Sequence, residues 1–446
     1  MGVRVTNRKT RTLLLAAILF RATQLQAALQ VETGQFAANT GSATTTVTTG
    51  FQGKAVILWA TSGTANTDTT RGTAGWSKGF SDGTNHRCIA WAGDDNVATS
   101  NVGRTIRTAS ALDILTDGTP TSARRVTGVA FNATPNMVIT WDGTPAAAYL
   151  VGYMLLGGSD ITNVLVGHSS AMPTSTGTWN VNNNGASVGF TGDFVMMLYD
   201  AFTGDGTGVQ ANSSIGFAAS ATKEFTMAWG VDDGATMSAT VDAVSYTNAN
   251  ASIAHITEGA ETVDLLANFL GFTSTGFDLN ISNAQARLST IMPFLIIKGG
   301  QWDVGTTTLP TLGAARTITG MVFQPQGLFL STNQALSDNT VAIIASSVVG
   351  AATSTSSETA AGLIHFDAIN TDVSRQIGND VILFDNSLSP NAGFDFTNFT
   401  SDGWVGTSQA SATRAQQTGW FAMADNAAAP SCAAGQNIAL LGVGCR

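Results

Sequence analysis

A short apolar segment led by phenylalanine occurs three times along the 446-residue chain, and this recurrence constrains the fold more than any other feature. The leading residues are Phe51, Phe190 and Phe323, which are 139 and 133 residues apart. Self-similarity at a nearly fixed period is the signature of a duplicated structural unit. We therefore predict three copies of one unit.

Three further landmarks recur in the same order. The first is a glycine, one spacer and an aromatic residue at Gly34-Gln35-Phe36, Gly177-Thr178-Trp179 and Gly300-Gln301-Trp302. The second is an Ala-Trp pair, which occurs at Ala90-Trp91 and at Ala228-Trp229. His365 lies near the corresponding position in the third copy. The third places Asn136-Met137, Gly276-Phe277 and Gly403-Trp404 at turns that lead into strands. These landmarks predict domains at 31–160, 161–298 and 299–427, between an N-terminal arm (1–30) and a C-terminal tail (428–446).

Within each copy the apolar segments are short, and clusters such as Asn182-Asn183-Asn184-Gly185 and Asp205-Gly206 separate them. Regularly spaced short strands with such turns are typical of antiparallel sandwiches and jelly rolls. The predicted fold class is all-β, with three tandem antiparallel β-sandwich domains of jelly-roll or concanavalin-like type behind the arm. A few short helices are expected, for instance over Glu261–Leu270.

Charge is scarce and uneven. Charged residues make up 11% of the chain, which has only five lysines and a formal net charge of −10. The five basic residues before Glu32 belong to the arm, so the remainder carries 15 bases against 30 acids. Neutralising phosphates requires clustered lysine and arginine. The body is therefore not expected to bind nucleic acid.

The arm has two interpretations. Basic residues 1–12, apolar residues 13–20 and the small residues around Ala27-Ala28 follow the layout of a secretory signal. Arg21 and Leu25 depart from that layout, which favours an arm that packs against a neighbouring subunit. No apolar run is long enough for a transmembrane helix.

The three cysteines are too few for a disulfide framework. Cys88 is expected to be a small buried residue. Cys432 and Cys445 in the tail either form a disulfide in an oxidising compartment or remain free thiols.

The paired acids Asp94, Asp95, Asp232 and Asp233 are the candidate metal ligands. Adjacent carboxylates on a turn could offer oxygen ligands to Ca²⁺, but aspartate also favours turns for local hydrogen bonding, which is the stronger interpretation. His86, His168, His255 and His365 lie in different segments without metal-ligand spacing. No catalytic motif or cofactor fingerprint occurs, so no catalytic residues and no cofactor are predicted. Trp91, Trp229 and the other tryptophans are expected in cores rather than on a sugar-stacking platform.

The segments GFQGKAVILW (50–59) and VFQPQGLFLS (322–331) resemble a recurring motif of phage-encoded proteins, in which Gly-Phe-Gln-Pro leads into an apolar strand. The later elements of that motif correspond here to Asp402-Gly403-Trp404 and Gly419-Trp420-Phe421. The second copy departs from it at Thr191-Gly192, and the first has Gly53 in place of proline. The resemblance implies concanavalin-like β-sandwiches in tail or surface components of virions, and it assigns no functional residue.

Together these observations favour a non-enzymatic structural component of a phage-like virion, such as a fibre, decoration or tail-associated protein. Its expected partners are copies of itself, other virion proteins and, on a host surface, a glycan. The alternative is a secreted bacterial surface protein or lectin-like carbohydrate-binding module, located outside the cell or on its surface. A polysaccharide-degrading enzyme would need a carboxylate pair facing one groove.

Overall fold

The computed structural model describes fifteen stretches of the chain: residues 29–64, 68–70, 73–94, 101–115, 117–202, 204–209, 211–233, 243–257, 261–284, 290–311, 313–366, 372–377, 380–384, 392–409 and 415–426. The structure is all-β, with antiparallel strands and, in these stretches, no helix. Within the same stretches, nothing has the length and hydropathy of a membrane-crossing helix.

The strands fall into three successive groups of eleven, called units 1, 2 and 3. Unit 1 contains β1 (Leu29–Ala37), β2 (Thr44–Thr48), β3 (Gly53–Thr61), β4 (Asp68–Thr70), β5 (Thr73–Ser81), β6 (His86–Asp94), β7 (Val102–Arg107), β8 (Leu112–Leu115), β9 (Ser122–Asn132), β10 (Asn136–Trp141) and β11 (Leu150–Gly158). Unit 2 contains β12 (Asn163–His168), β13 (Gly177–Val181), β14 (Phe194–Asp200), β15 (Gly206–Val209), β16 (Ala211–Ser220), β17 (Lys223–Val231), β18 (Ala243–Asn248), β19 (Ile253–Thr257), β20 (Thr262–Phe272), β21 (Phe277–Ala284) and β22 (Pro293–Lys298). Unit 3 contains β23 (Gln301–Leu309), β24 (Ala315–Ile318), β25 (Gly327–Thr332), β26 (Val341–Ala342), β27 (Ile344–Ser354), β28 (Ser357–Phe366), β29 (Asp372–Ile377), β30 (Ile382–Phe384), β31 (Ala392–Thr400), β32 (Gly403–Ser408) and β33 (Gln416–Ala424).

Each unit contributes to one seven-stranded and one four-stranded sheet, and the strand order is the same in all three. The large sheets run β1-β11-β3-β5-β6-β7-β15, β12-β22-β14-β16-β17-β18-β26 and β23-β33-β25-β27-β28-β29-β4. The small sheets run β2-β10-β9-β8, β13-β21-β20-β19 and β24-β32-β31-β30. Six strands of every large sheet come from one unit, and the seventh comes from another.

The seventh strands connect the units in a closed cycle. Unit 2 donates β15 to β7 of unit 1, unit 3 donates β26 to β18 of unit 2, and unit 1 donates β4 to β29 of unit 3. An uncovered edge strand presents a row of unpaired backbone groups that can pair with another chain. Each donated strand covers such an edge, so every unit completes the sheet of another.

The antiparallel pairing gives the assembly two distinct ends. The terminal end is where β1 begins at Leu29, opposite Gly158, and where β33 finishes at Ala424. The linker between units 1 and 2 meets the C-terminal end of the described chain there, because the backbone N–H of Asn426 donates to a carboxylate oxygen of Asp160 at 2.5 Å. The donor end is the opposite one, where β3, β14 and β25 finish before the donated strands. Both ends of the described chain therefore leave from the terminal end.

The large sheets are buried on both faces, which explains their nearly continuous apolar strands. In β14, Phe194, Met196 and Leu198 belong to a core shared by all three units. The alternate residues Val195 and Met197 pack instead toward the small sheet of unit 2. This division follows from the two-residue period of a strand. The protein thus has one central core between the large sheets and a separate core between the two sheets of each unit.

The central core is asymmetric. Unit 1 contributes the side chains of three tryptophans, Trp59, Trp76 and Trp91, whereas unit 3 contributes phenylalanines such as Phe329 together with small residues such as Ala351 and Ala361. Aromatic contacts cross between units. They include Trp76 with Trp229, whose ring centroids are 5.6 Å apart, and Trp59 with Phe329 at 5.9 Å. Eight of the nine tryptophans are at most 6% exposed, in agreement with their expected core role.

Two expectations from the sequence are wrong. The segment predicted to be a helix over Glu261–Leu270 forms β20, because pairing on both sides with β19 and β21 outweighs its local pattern. The Gly-x-aromatic landmark is not one structural position, since its three copies lie in β1, in β13 and at the start of β23. Strand alternation produces that spacing in many strands.

The other landmarks occupy corresponding strands. Trp91 and Trp229 lie on β6 and β17, the sixth strands of their units, and His365 lies on the sixth strand of unit 3. The residues after the predicted turns begin the same ladder in each small sheet, where Met137 pairs with Val47, Phe277 with Val181 and Trp404 with Ile318.

A buried glutamate connects the two sheets of unit 3. Glu358 is 6% exposed and accepts the backbone N–H of Phe396 at 2.9 Å, beside an irregularity in β31. Glu224 is its counterpart in unit 2, where it accepts the N–H of Phe269 at 2.7 Å. Burial raises the pKa of Glu358 to about 8, although the hydrogen bond from Phe396 opposes the shift.

We expect Glu358→Gln to remove a pH dependence of stability between about pH 4.5 and 8. The folded protein retains a proton there that the unfolded chain releases, so wild-type stability falls as the pH rises through this window, by at most about 1.4 kcal/mol per pH unit. Urea unfolding at several pH values measures the difference. Glu261→Gln, at an exposed position, serves as the control. Equal slopes for wild type and Glu358→Gln would contradict the prediction.

Candidate functional site

Two of the four candidate aspartates, Asp94 and Asp233, accept hydrogen bonds. Asp94 ends β6, where its carboxylate accepts the side-chain amide of Asn101 and, at 2.9 Å, the backbone N–H of Gly118. Asp233 reaches from unit 2 to accept the N–H of Val102 at 3.0 Å. Asp94 and Asp233 thus flank the start of β7 at the donor end. Asp232 precedes Asp233, and Asp95 lies outside the described residues.

The described residues contain no group of three or more histidine, cysteine, aspartate or glutamate side chains that could hold a metal ion. Asp94 and Asp233 form hydrogen bonds with residues 7 to 131 positions away in the chain, and the assignment of the aspartates as metal ligands stays a prediction. Cys88 is free and fully buried, as expected, and burial raises the pKa of its thiol. The arm up to residue 28 and the tail from residue 427, with Cys432 and Cys445, lie outside the described residues.

The histidines serve separate contacts. His86 Nδ1 lies 2.8 Å from Ser81 Oγ, and His168 Nδ1 accepts the Arg87 guanidinium at 3.1 Å across the junction of units 1 and 2. Burial is the main cause that lowers the pKa values of His86 and His168. His255 is 1% exposed and pairs with Asp264 inside unit 2.

The junction of units 1 and 2 is held by a buried ion pair. Arg104 on β7 approaches Asp200 at the end of β14, with 3.3 Å between Nε and Oδ1, and the two side chains are 8% and 0% exposed. Arg104 also donates to Asn212 at 3.2 Å, and Ser213 donates to Asp200 at 3.3 Å. Nearby, the N–H of Thr108 donates to Asp205 at 2.9 Å, just before the donated strand β15. Charge complementarity thus marks this junction.

The junction of units 2 and 3 combines one ion pair with amide and hydroxyl contacts. The ion pair joins Lys223 on β17 to Asp303 on β23, with 2.5 Å between Nζ and Oδ1. The amide of Asn333 follows β25 and donates to the carbonyl oxygen of Tyr246 at 2.8 Å. Tyr246 in turn donates to Asn339 at 2.7 Å, and Asp338 accepts the N–H of Ala249 at 2.7 Å. By strand register, Asn333 takes the position that Asp200 has in unit 2. The same structural position therefore carries different chemistry at the two junctions.

The junction of units 3 and 1 contains a buried lysine. Lys78 on β5 is 2% exposed and donates to Ser347 of unit 3 at 2.6 Å. Its Nζ lies 3.3 Å from the ring centre of Trp76 and 4.6 Å from that of Trp229. No carboxylate in the described part of the chain forms an ion pair with it. Burial lowers the pKa of Lys78 well below its ordinary value.

A groove of about 990 Å³ opens at the terminal end of unit 3. Its walls combine amide side chains with apolar ones: Gln301, Gln324, Gln326, Asn426, Val322 and Phe399. Val322 is 92% exposed, and Asp425 supplies a carboxylate. A volume of this size is at the upper end for ligand pockets. The groove includes Phe323-Gln324-Pro325, the segment that carries the resemblance to the phage motif.

Sequence reasoning found the segment that lines this groove but not the groove, and it missed Arg104, Asp200 and Lys78. A lone charged residue at position 78, between Trp76 and Phe80, was the available signal. Comparison with known protein families, curated proteins and solved structures gives no match to this chain.

Proposed function

We propose that this chain is a non-enzymatic structural component of a phage-like virion, a fibre, decoration or tail-associated protein that assembles with copies of itself and with neighbouring virion proteins. The observation that carries the proposal is the closed cycle of strand donation. Three units that complete one another's sheets form a body in which no unit can separate without breaking backbone pairing at two junctions. Such a body suits a mechanical role.

We further propose that the units are three copies of a β-sandwich domain of jelly-roll or concanavalin-like type, with the boundaries 31–160, 161–298 and 299–427. Support comes from the shared strand order and from a separate core between the two sheets of each unit. A fusion of three such domains would act as a trimer within one chain. The different chemistry of the junctions would fix which unit pairs with which.

The placement of the chain ends supports attachment through one face. Residues 29 and 426 both lie at the terminal end, so the basic arm and the tail leave the body on the same side. A body attached there would turn its donor end outward. The acidic, lysine-poor body would remain soluble at high local density, while the basic arm could contact an acidic neighbour.

A secreted surface protein or lectin-like module is the second candidate. The observation that favours it is the groove in unit 3, because amide groups next to an aromatic ring and a carboxylate match the mixed donors and acceptors of a neutral saccharide.

Intact-mass spectrometry and light scattering of the full-length product separate the two candidates. For the virion component we expect the chain to keep residues 1–28, apart from removal of Met1, and to form assemblies larger than 45.9 kDa. Removing residues 1–28 should leave the circular dichroism spectrum unchanged and abolish the assemblies. A monomer that has lost about 27 residues on export would overturn the proposal and favour secretion.

A further inference from the structure

We infer that the groove in unit 3 binds the last part of this chain's own N-terminal arm, residues 22–28. The inference rests on the proposed function in one respect, since it requires that the arm is retained. It goes beyond that function by giving the arm a defined site on the body. The argument starts from how the other two units hold the chain that enters the next unit.

In units 1 and 2, a side chain at or just before the start of the third strand, β3 or β14, holds the chain that enters the next unit. Lys54 donates to the carbonyl oxygen of Ile161 at 2.7 Å, two residues before β12. Asp193 accepts the N–H of Gly299 at 2.7 Å, two residues before β23. The two contacts differ in polarity but occupy the same place. A single position in the unit thus anchors the chain as it passes from one unit to the next.

Strand register identifies the corresponding residues in unit 3. Corresponding positions on the last strand of each unit pair with Val56, Val195 and Leu328. The residues two places earlier are therefore equivalent: Lys54 in unit 1, Asp193 in unit 2 and Gln326 in unit 3. The first strands of the units are aligned in the same way, because they also pair with the last strands. The equivalent residues on the first strands are Gln30, Asn163 and Gln301. The residue two places before Gln30 is Ala28. Gln326 should therefore hold the backbone near Ala28, which is the end of the arm.

The contacts of Gln326 leave room for such a partner. Its Nε2 donates to Asp425 at 3.2 Å, whereas its Oε1 is shielded from solvent and has no hydrogen-bond partner within the described ranges. Leaving a buried acceptor without a partner is unfavourable, because the group has lost its hydrogen bonds to water. An N–H from the arm would satisfy it, as the N–H of Gly299 satisfies Asp193 in unit 2.

The arm also starts next to the groove. Val31 of β1 lies against Gly327, which directly follows the groove segment, and Thr33 Oγ1 is 3.2 Å from that of Thr353 on the groove wall. Residue 28 is three positions before Val31, about 10 Å along an extended strand. The groove's amides suit Thr23, Gln24 and Gln26, and its exposed Val322 suits Leu25. Binding of residues 22–28 would direct the basic and apolar residues before them away from the body.

A disulfide trap in the full-length chain tests the inference. Ala28→Cys and Gln326→Cys are introduced together, with Cys432→Ser and Cys445→Ser to remove the tail thiols. We expect mild oxidation to join them within one chain, which peptide mapping detects. Ala28→Cys with Thr222→Cys, an exposed turn at the terminal end of unit 2, is the matched control and should not cross-link.

A second measurement avoids cysteine variants. We expect trypsin to cleave after Arg21 at least fivefold faster in Val322→Asp than in wild type, and Leu336→Asp, an exposed change at the donor end, to leave the rate unchanged. A disulfide between chains would overturn the inference in favour of a neighbour's arm in the groove. The inference would also be overturned if, in an assembled chain with an intact arm, Ala28→Cys and Gln326→Cys did not cross-link and Val322→Asp did not change the rate of cleavage after Arg21. Neutral-saccharide binding that Val322→Asp abolishes would reassign the groove to a glycan. If the natural product has lost residues 1–28, both the inference and the proposed function are overturned. The other outcomes overturn the inference alone.

Discussion

Asp200→Ala is expected to destabilise the protein by about 3–5 kcal/mol, the largest loss that we predict for a single substitution. The change leaves the Arg104 guanidinium buried at the junction of units 1 and 2 without its counter-charge. Breaking a buried pair by removing one partner is costly because an uncompensated charge stays inside the protein. Equilibrium unfolding in urea, followed by tryptophan fluorescence, measures the loss.

Two further variants establish that the cost arises from the unpaired charge. Asp200→Leu combined with Arg104→Met should recover most of the loss, since an apolar pair of similar volume often equals a buried ion pair in stability. Asp142→Ala removes the carboxylate of a more exposed ion pair, in which the Asp142 side chain is 24% exposed and that of Arg125 is 40% exposed. This change should reduce the stability by less than about 1 kcal/mol. If Asp200→Ala cost no more than Asp142→Ala, the junction would not depend on this pair.

Lys78→Met is expected to stabilise the protein at neutral pH, by about 2 kcal/mol. The lysine lies in the central core, where burial disfavours its charged form, and the variant replaces it with an apolar side chain of similar length. Contact with the faces of Trp76 and Trp229 offsets part of the burial cost, because a cation is attracted to an aromatic ring. Thermal and urea unfolding both report the gain.

The pH dependence of that gain follows from the direction of the pKa shift. The folded protein binds fewer protons at Lys78 than the unfolded chain does between the lowered pKa and about 10.5, so wild-type stability rises with pH in that window. The advantage of Lys78→Met should therefore shrink toward pH 10, by up to about 1.4 kcal/mol per pH unit. Lys298→Met, at a half-buried position, should show no such trend. A constant difference between wild type and Lys78→Met would contradict the lowered pKa.

The sequence allows prediction of features that are local to one strand or turn. Short apolar runs between turn clusters predict strands, and the apolar segment after Phe190 forms β14 with both faces buried. The turns before Met137 and Trp404 begin corresponding ladders for the same reason, since turn chemistry acts over a few residues. The segment of β20 shows the limit, because its partners β19 and β21 decide its conformation.

The junctions between units could not be predicted, because they depend on residues far apart in the chain. Arg104 and Asp200 are 96 positions apart, and Lys78 meets Ser347 from a separation of 269. Neither alternation nor composition indicates which strand edge accepts a donated strand. The groove in unit 3 depends on the same long-range geometry, although its segment around Phe323 stood out in the sequence.

The cycle of donated strands has a consequence for synthesis on the ribosome. Strand β4 lies within the first 70 residues, but its acceptor β29 ends only at residue 377. Unit 1 likewise waits for β15 before its own sheet is complete. A nascent or truncated chain therefore carries the unmatched donor β4 until β29 of unit 3 has emerged, and this delay exposes it to pairing with neighbouring nascent chains.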